Sequence, residues 1–183
     1  MVNTTFGILS GMAWTVETLN QKVDAELSEL PTDMRARLVR ISELIESVGL
    51  PNMKEPHVRH LRGPLWEIRL NGKRASHALS AARQGSEPMT KISDLHRRWS
   101  KDADYEEAYD AFGEEFDLTR ALIEARTAAG LSQSQLARRM KTSQSYIARI
   151  EGGRVRPSTH ALERFAQATR TRLRIVFEPQ PAR

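Results

Sequence analysis

Residues 130–158, which read GLSQSQLARRMKTSQSYIARIEGGRVRPS, constrain the fold more than any other stretch of the chain. They predict two short helices joined by a tight turn, because Ser132 is a good N-cap and the small Ala137 lets two crossing helices approach closely. In the second helix Ile147 and Ile150 share the face that would pack inward. We therefore predict a helix-turn-helix motif, with an ordinary helical hairpin as the alternative. The other expected core positions are Leu122, Leu131, Leu136, Met140, Leu162 and Phe165.

The second helix of such a motif presents its N-terminal side chains to the major groove of DNA. Gln144 has the geometry to pair with adenine, and Arg149, one turn later, reaches guanine or a phosphate. Gln133, at the start of the preceding helix, is expected to contact a phosphate. Arg154 and Arg156 follow two glycines and are expected at the DNA backbone or the minor groove. The predicted DNA-binding residues are Gln133, Ser143, Gln144, Ser145, Arg149, Arg154 and Arg156.

The charge of the chain is unevenly distributed. Residues 130–183 contain eleven Lys and Arg against three Asp and Glu, whereas residues 89–129 contain six against ten. Phosphate contacts supply much of the affinity of DNA-binding proteins, so the local excess of +8 indicates a nucleic-acid partner.

Composition also limits the other classes of function. The chain has no cysteine among its 183 residues, which excludes disulfides and thiolate metal sites, and we expect no metal and no cofactor. No apolar run approaches the roughly 20 residues of a membrane span. The N-terminus lacks basic residues before its short apolar stretch, so we expect no secretory signal and a cytoplasmic protein.

The first half of the chain has a mixed pattern. Residues 22–30 and 32–48 are predicted to form amphipathic helices, and residues 13–19 suit a short strand. Residues 57–61 and 65–70 are predicted to pair around the turn at Arg62-Gly63-Pro64. Residues 75–88 show no sustained period, and we expect no regular structure there.

Two segments of this half, AELSELPTDMRARLVRISELIESVGLP and EPHVRHLRGPLWEIRLNGK, resemble the RelE-superfamily toxins of the HigB type. These toxins are ribosome-dependent endoribonucleases with an α+β fold. The resemblance ends at Lys73, where RASHAL follows in place of a strand resembling GIARAL. One choice of codons for RASHAL encodes GIARA when it is read in another frame. This predicts a truncated, frame-shifted toxin joined to the next gene; a deliberate fusion is the alternative.

Most of the family's catalytic groups come from the part that the resemblance implies is missing. We therefore expect no catalytic residue and no enzyme; the alternative is a fusion whose N-terminal half still cleaves mRNA. The basic residues of the hairpin are expected to be surface charges, with RNA contact as the alternative, and Trp66 is expected in the core. The basic residues in question are His57, Arg59, His60, Arg62 and Arg69.

From Met89, which begins MTKISDLHRRW, the chain resembles a HigA-type antitoxin with an XRE-family helix-turn-helix similar to phage repressors. The resemblance implies an operator-binding repressor of its own operon, a homodimer and a RelE/HigB-type toxin as partner. It also implies an internal ion pair between Arg126 and Glu151. Such antitoxins use an acidic, aromatic segment against the toxin, so Tyr105, Tyr109 and Phe112 are candidate toxin contacts. A packed aromatic stripe on an acidic helix is the alternative.

The predicted fold is mainly α. It consists of a five-helix XRE-type domain with a C-terminal strand, preceded by an incomplete α+β RelE-like remnant. The remnant and linker cover residues 1–88, and the antitoxin-like part covers 89–183, divided into 89–116, 117–170 and the strand 171–178. A lone strand needs a partner, either across a two-fold axis or in the toxin-like sheet. Because its sheet is cut short, the first half is expected to be the less stable one.

Overall fold

The structure is a computed structural model that describes residues 4–6, 14–62, 65–71, 76–81, 89–177 and 179. These residues are mainly helical, with two small three-stranded sheets. The helices are α1 (Gln21–Ser28), α2 (Thr32–Val48), α3 (Ile92–Trp99), α4 (Ala103–Ala111), α5 (Gly113–Ala128), α6 (Gln133–Arg139), α7 (Gln144–Glu151) and α8 (Thr159–Thr169). The strands are β1 (Thr4–Phe6), β2 (Val16–Thr18), β3 (Val58–Arg62), β4 (Leu65–Asn71), β5 (Ser76–Ala81) and β6 (Thr90–Lys91).

Helix α2 is the longest helix and forms the centre of the N-terminal half. It ends at Gly49, whose φ of +78° glycine adopts without steric cost. A Cβ atom at Gly49 would lie 2.7 Å from Nε1 of Trp14, so the close approach of that ring also requires glycine. Both helices predicted for this half are confirmed, as α1 and α2. The buried side chains of α2 include Met34, Leu38, Val39, Ile41, Leu44, Ile45 and Val48.

One sheet has the antiparallel order β3-β4-β5. The predicted hairpin is confirmed, with Val58 paired to Ile68 and both side chains buried. The expectation that residues 75–88 lack regular structure is wrong over 76–81, where β5 pairs with β4 along its length. The backbone edge of β4 provides the partner for this strand, and its sequence, SHALSA, has no strong alternation that could have indicated it.

The other sheet, in the order β1-β2-β6, joins the two halves of the chain. The predicted first strand is confirmed as β2, and Glu17 in it pairs with Lys91 in β6. The hydroxyl of Thr90 donates to a carboxylate oxygen of Asp24 at 2.7 Å, and the hydroxyl of Thr18 donates to the same carboxylate. Segments on both sides of the expected boundary at 88/89 therefore share a hydrogen-bonded sheet.

The larger hydrophobic core also draws on both sides of that boundary. Its members from the C-terminal side are all at most 6 % exposed. They pack with side chains of α1, α2 and the strands. Residues 89–116 thus belong structurally to the same core as the N-terminal half, and this packing argues against separate unfolding of the two halves. The boundary at 88/89 itself stays a prediction. The members are Ile92, Leu95, Trp99, Tyr105, Phe116 and Ile123.

Helices α5 to α8 enclose a second core, which is that of the predicted helix-turn-helix. Every core position predicted for it is buried, except Leu162, which is partly buried. Ser132, Ser143 and Ser158 cap α6, α7 and α8 through their side-chain oxygens. The prediction of five helices is wrong for the described residues, since residues 113–169 form four. Residues 171–177, which follow α8, do not continue as a helix.

The expected C-terminal strand is also wrong within the residues described. Arg170 ends α8 in the left-handed conformation, with φ 57°, and residues 171–177 form no strand. The alternating pattern favours a strand, but no strand among the described residues pairs with this segment. Ile175, Val176 and Phe177 are accordingly 58 %, 65 % and 96 % exposed. Residue 178, the end of the predicted strand, lies outside the described residues.

The shared core leads to a stability prediction for α4. Tyr105 is fully buried, and its hydroxyl lies 2.8 Å from Nδ1 of His96. We expect Tyr105→Ala to lower the free energy of unfolding by about 3–5 kcal/mol, the usual cost of deleting a buried aromatic ring. The measurement is denaturant unfolding followed by tryptophan fluorescence, because Trp14, Trp66 and Trp99 all lie in or against this core.

The matched control is Glu107→Ala, an exposed change on the same helix. Exposed substitutions of this kind usually change stability by less than about 0.5 kcal/mol. An equally small effect of Tyr105→Ala would contradict the packing of α4 into the larger core.

Candidate nucleic-acid interface

Helix α7 has one buried and one exposed face. Ile147 and Ile150 are at most 2 % exposed and anchor the helix in the second core. The side chains of Gln144, Ser145 and Arg149 are exposed on the other side. This is the arrangement that a recognition helix requires, since its polar N-terminal end must be free to enter the major groove.

A chain of buried polar groups fixes the start of α7. Arg126 donates from Nε to Oε1 of Glu151 at 2.6 Å and from Nη2 to Oε2 at 3.0 Å. Nε2 of Gln133 donates to the same Oε2 at 3.0 Å, and Nε2 of Gln144 donates to Oε1 of Gln133 at 2.8 Å. The ion pair implied by the resemblance is thus present and buried. It is connected to the predicted base-reading residue Gln144 through one intervening side chain.

Gln133 has a different place from the one expected for a phosphate contact. Its side chain is 8 % exposed, and both ends of its amide are engaged, one with Glu151 and one with Gln144. The side chain therefore positions Gln144. Local spacing could not reveal this, because the contact depends on how α6 crosses α7.

Ser143 lies at the N-cap of α7. Its Oγ accepts a hydrogen bond from the backbone N–H of Tyr146 at 3.1 Å and lies 3.0 Å from Oγ of Ser145. Ser145 is exposed and lines a cleft beside α7. The structure thus gives Ser143 a capping contact and leaves Ser145 on the surface.

Arg154 and Arg156 project from the loop after α7. Both are exposed, and the backbone N–H of Arg154 donates to the carbonyl of Arg149 at 3.0 Å. Arg156 lies 3.9 Å from Glu114, with both side chains at least 86 % exposed, a type of pair that contributes little to stability. Gly153 precedes them with φ +68°, which turns the chain at this point.

A cleft of about 1020 Å³ runs along this surface. It is lined by residues of α6 and α7, by the end of α5, by Arg154, and by four residues of the segment 51–55 in the N-terminal half, namely Pro51, Asn52, Lys54 and Glu55. The predicted residues Gln133, Gln144, Ser145, Arg149 and Arg154 all line it. Sequence reasoning missed the contribution of the loop 51–55, which no motif marks.

The basic residues of the N-terminal hairpin occupy diverse sites. His57 is buried, and its ring centre lies 5.2 Å from that of Phe116. This burial, followed by the nearby charges of Arg37 and Arg154, lowers the pKa of His57 to about 3. Arg59 and Arg62 are exposed. Arg69 forms ion pairs with Glu67 and Glu55. The ring of Trp66 contacts the ring of His60 edge-on and packs against the larger core. His57 is therefore inaccessible to RNA in this structure.

The three aromatic residues expected to contact a toxin instead contact the toxin-like half of the same chain. The guanidinium of Arg40 lies 3.5 Å from the ring centre of Tyr109, and that of Arg37 lies 4.5 Å from the ring centre of Phe112. The hydroxyl of Tyr109 also donates to Glu43, and burial followed by this bond raises the pKa of Tyr109.

Tyr105 completes this contact at the other end of α4. The guanidinium of Arg35 lies 5.6 Å from the ring centres of Tyr105 and Trp99, and its Nη2 lies 3.3 Å from Asp102. Burial raises the pKa of Tyr105. The basic residues of α2 were not singled out by sequence reasoning, although the MRAR run that contains two of them is part of the toxin-like motif.

The described residues contain no group of three or more His, Cys, Asp or Glu side chains suited to a metal ion. In the same part of the chain, no helix has the length and apolar character needed to cross a membrane.

Comparison with known proteins supports both halves of this description. Residues 117–173 match the family model for a helix-turn-helix domain, and residues 25–85 match the model for phage derived protein Gp49-like (DUF891). The expectation that the resemblance ends at Lys73 is wrong, because the second match runs through β5 to residue 85. A change of reading frame stays a prediction. Searches of curated proteins and of solved structures gave no match.

Each matched segment covers about a third of the chain, and residues 86–116, which contribute to the larger core, lie between them. The C-terminal match agrees with the XRE-type motif, and the N-terminal match agrees with the resemblance to RelE/HigB-like toxins. The chain therefore joins a segment similar to phage derived protein Gp49-like, over residues 25–85, to a segment similar to a helix-turn-helix domain, over residues 117–173.

Proposed function

We propose that this chain is a sequence-specific DNA-binding regulator of the antitoxin type, which represses its own operon in the cytoplasm. The observation that carries the proposal is the exposed polar face of α7, on which a buried hydrogen-bond chain orients Gln144. The net charge of +8 over residues 130–183 supports a DNA partner.

We propose a homodimer on a palindromic operator. One recognition helix reads only a few base pairs, and specific affinity in this class of motif comes from two half-sites about one helical turn apart. Selection from a random duplex library tests this, with enrichment of an inverted repeat as the expected result. Retention of DNA without any enriched sequence would overturn the proposal of specific recognition.

We propose that the antitoxin-like segment acts on the toxin-like half of its own chain. The aromatic residues available for a toxin pack against Arg35, Arg37 and Arg40 of α2, so a separate toxin would have to displace them. This supports contact in cis over capture of an intact toxin supplied elsewhere.

The proposed base contact gives the first functional prediction. Gln144→Ala should cost about 1–3 kcal/mol of binding free energy at one position of the selected operator and leave binding to random duplex unchanged. Gln167→Ala, which removes the same amide from the exposed face of α8, is the control and should bind like the parent chain. Fluorescence anisotropy with operator and random duplexes measures both. Equal losses on the two duplexes would show that α7 does not read bases.

The proposed phosphate contact predicts a different pattern. Arg154→Ala should weaken binding to every sequence and make the slope of log affinity against log salt less steep by about 0.9. Arg97→Ala removes the same charge from the exposed surface of α3 and should leave the slope unchanged. A loss confined to the operator would contradict a backbone role for Arg154.

We further propose that the chain is not a ribonuclease. The burial of His57 and the packing of the α2 arginines under α4 support this, because these basic groups are not free to contact RNA. A misplacement of catalytic groups by about 1 Å already lowers the reaction rate roughly 100-fold. The expected result is that neither the whole chain nor residues 12–88 cleave ribosome-bound mRNA, with an intact RelE-superfamily toxin as positive control. Codon-specific cleavage at a comparable rate would establish the alternative of an active fusion.

A further inference from the structure

We propose that residues 51–55 of the Gp49-like half form part of the DNA-binding surface and that Lys54 contacts a DNA phosphate beside the recognition helix. This inference rests on the proposed function. It implies that the toxin-like half contributes directly to DNA binding, by extending the surface of the helix-turn-helix.

The first argument is position. Lys54 and Glu55 line the same cleft as the base-reading residue Gln144 and as Arg149 and Arg154. DNA placed on α7 runs along this cleft, since the phosphates that flank the bases in the major groove lie on either side of a recognition helix. The loop 51–55 is therefore beside the path of one strand.

The second argument is rigidity. The carbonyl of Asn52 accepts a hydrogen bond from Nη2 of Arg126 at 3.1 Å, and its side chain donates to the carbonyl of Val48 at 2.7 Å. Met53 is fully buried. Because these contacts fix the loop against α5, Lys54 needs little additional ordering of the backbone when DNA binds.

The contact of Pro56 with Gly152 adds to this rigidity. A Cβ atom at position 152 would lie 2.2 Å from Cδ of Pro56, so the proline ring packs against the Gly152 backbone as closely as glycine allows. Gly152 directly follows α7, and the end of the loop is thereby held against the recognition helix itself.

The third argument is charge. Lys54, Arg149 and Arg154 are all exposed at the cleft. The other charged side chains that line it are Arg126, which is paired with Glu151, and Glu55, which lies 3.7 Å from Arg69 and 3.9 Å from Arg59. The one carboxylate of the lining is thus offset by neighbouring arginines, and the exposed cations of the lining favour a polyanion at the cleft.

The test is binding of the full chain to a random-sequence duplex over a range of salt concentrations. Lys54→Ala should weaken binding and make the salt slope less steep by about 0.9, so that its defect shrinks about threefold between 50 and 200 mM salt. Lys22→Ala, an exposed change on α1 outside the cleft, should leave affinity and slope unchanged. Unchanged thermal unfolding of both variants verifies that the fold is retained.

A second measurement locates the residue directly. The chain has no cysteine, so Lys54→Cys and Lys22→Cys each carry a single thiol to which a photoactivatable crosslinker can be attached. We expect crosslinks to the duplex from position 54 and none from position 22. Absence of crosslinks from both positions would contradict the proposal.

The outcomes separate this inference from the proposed function. If Gln144→Ala and Arg154→Ala weaken binding while Lys54→Ala does not, the inference is overturned and the proposed function stands. If Lys54→Ala tightens binding, the loop obstructs the groove and the inference is likewise overturned. If none of the three variants changes binding, both fail.

Discussion

Arg40 lies with its guanidinium 3.5 Å from the ring centre of Tyr109 and donates two hydrogen bonds, at 3.1 and 3.3 Å, to the carbonyl of the same residue. The Arg40 side chain is only 12 % exposed, so the cation–π attraction acts in a partly desolvated site, where such contacts are worth up to about 2 kcal/mol. The contact joins α2 to the end of α4. Gly113, the first residue of α5, is separated from α4 by one residue, and a Cβ atom there would lie 3.3 Å from Nη2 of Arg40.

The placement of the DNA-binding surface follows from this contact. Helix α5 begins against α2 and carries Arg126 at its other end. Arg126 in turn holds Glu151, and through Gln133 it orients Gln144. The toxin-like half and the recognition helix are thus connected by one helix with a fixed attachment at each end. This connection explains how a loop such as 51–55 comes to lie in a defined position beside α7.

The resemblance to toxin–antitoxin pairs implied a contact between two proteins, and the structure shows α4 packed on α2 of the same chain. Covalent linkage gives the acidic segment a high effective concentration at α2, so weak individual interactions suffice to keep it there. The packed aromatic stripe, which was the alternative for Tyr105, Tyr109 and Phe112, agrees with the structure, and their contact with a toxin stays a prediction. The side chains form a packed aromatic stripe, and the surface on which they pack belongs to the toxin-like half.

The features that sequence reasoning found are those set by local spacing. The second core followed from apolar positions three and four residues apart, such as Ile147 and Ile150, and α2 followed from the same periodicity. The features that it missed depend on distant partners. Strand β5 pairs with the edge of β4, whereas residues 171–177 pair with no strand in the part of the chain that the structure describes. Likewise, the burial of Gln133 depends on the crossing of α6 and α7.

Hydrogen–deuterium exchange of the full chain, resolved to peptides from α2 and α4, tests most directly whether the antitoxin-like segment and the toxin-like half are one folded unit. Amides within one cooperative unit exchange through the same opening reaction. The expected result is that the core amides of α4 and α2 exchange with the same free energy of opening. Exchange of α4 at a much lower free energy than α2 would show that the acidic segment opens separately from α2, which contradicts the shared core.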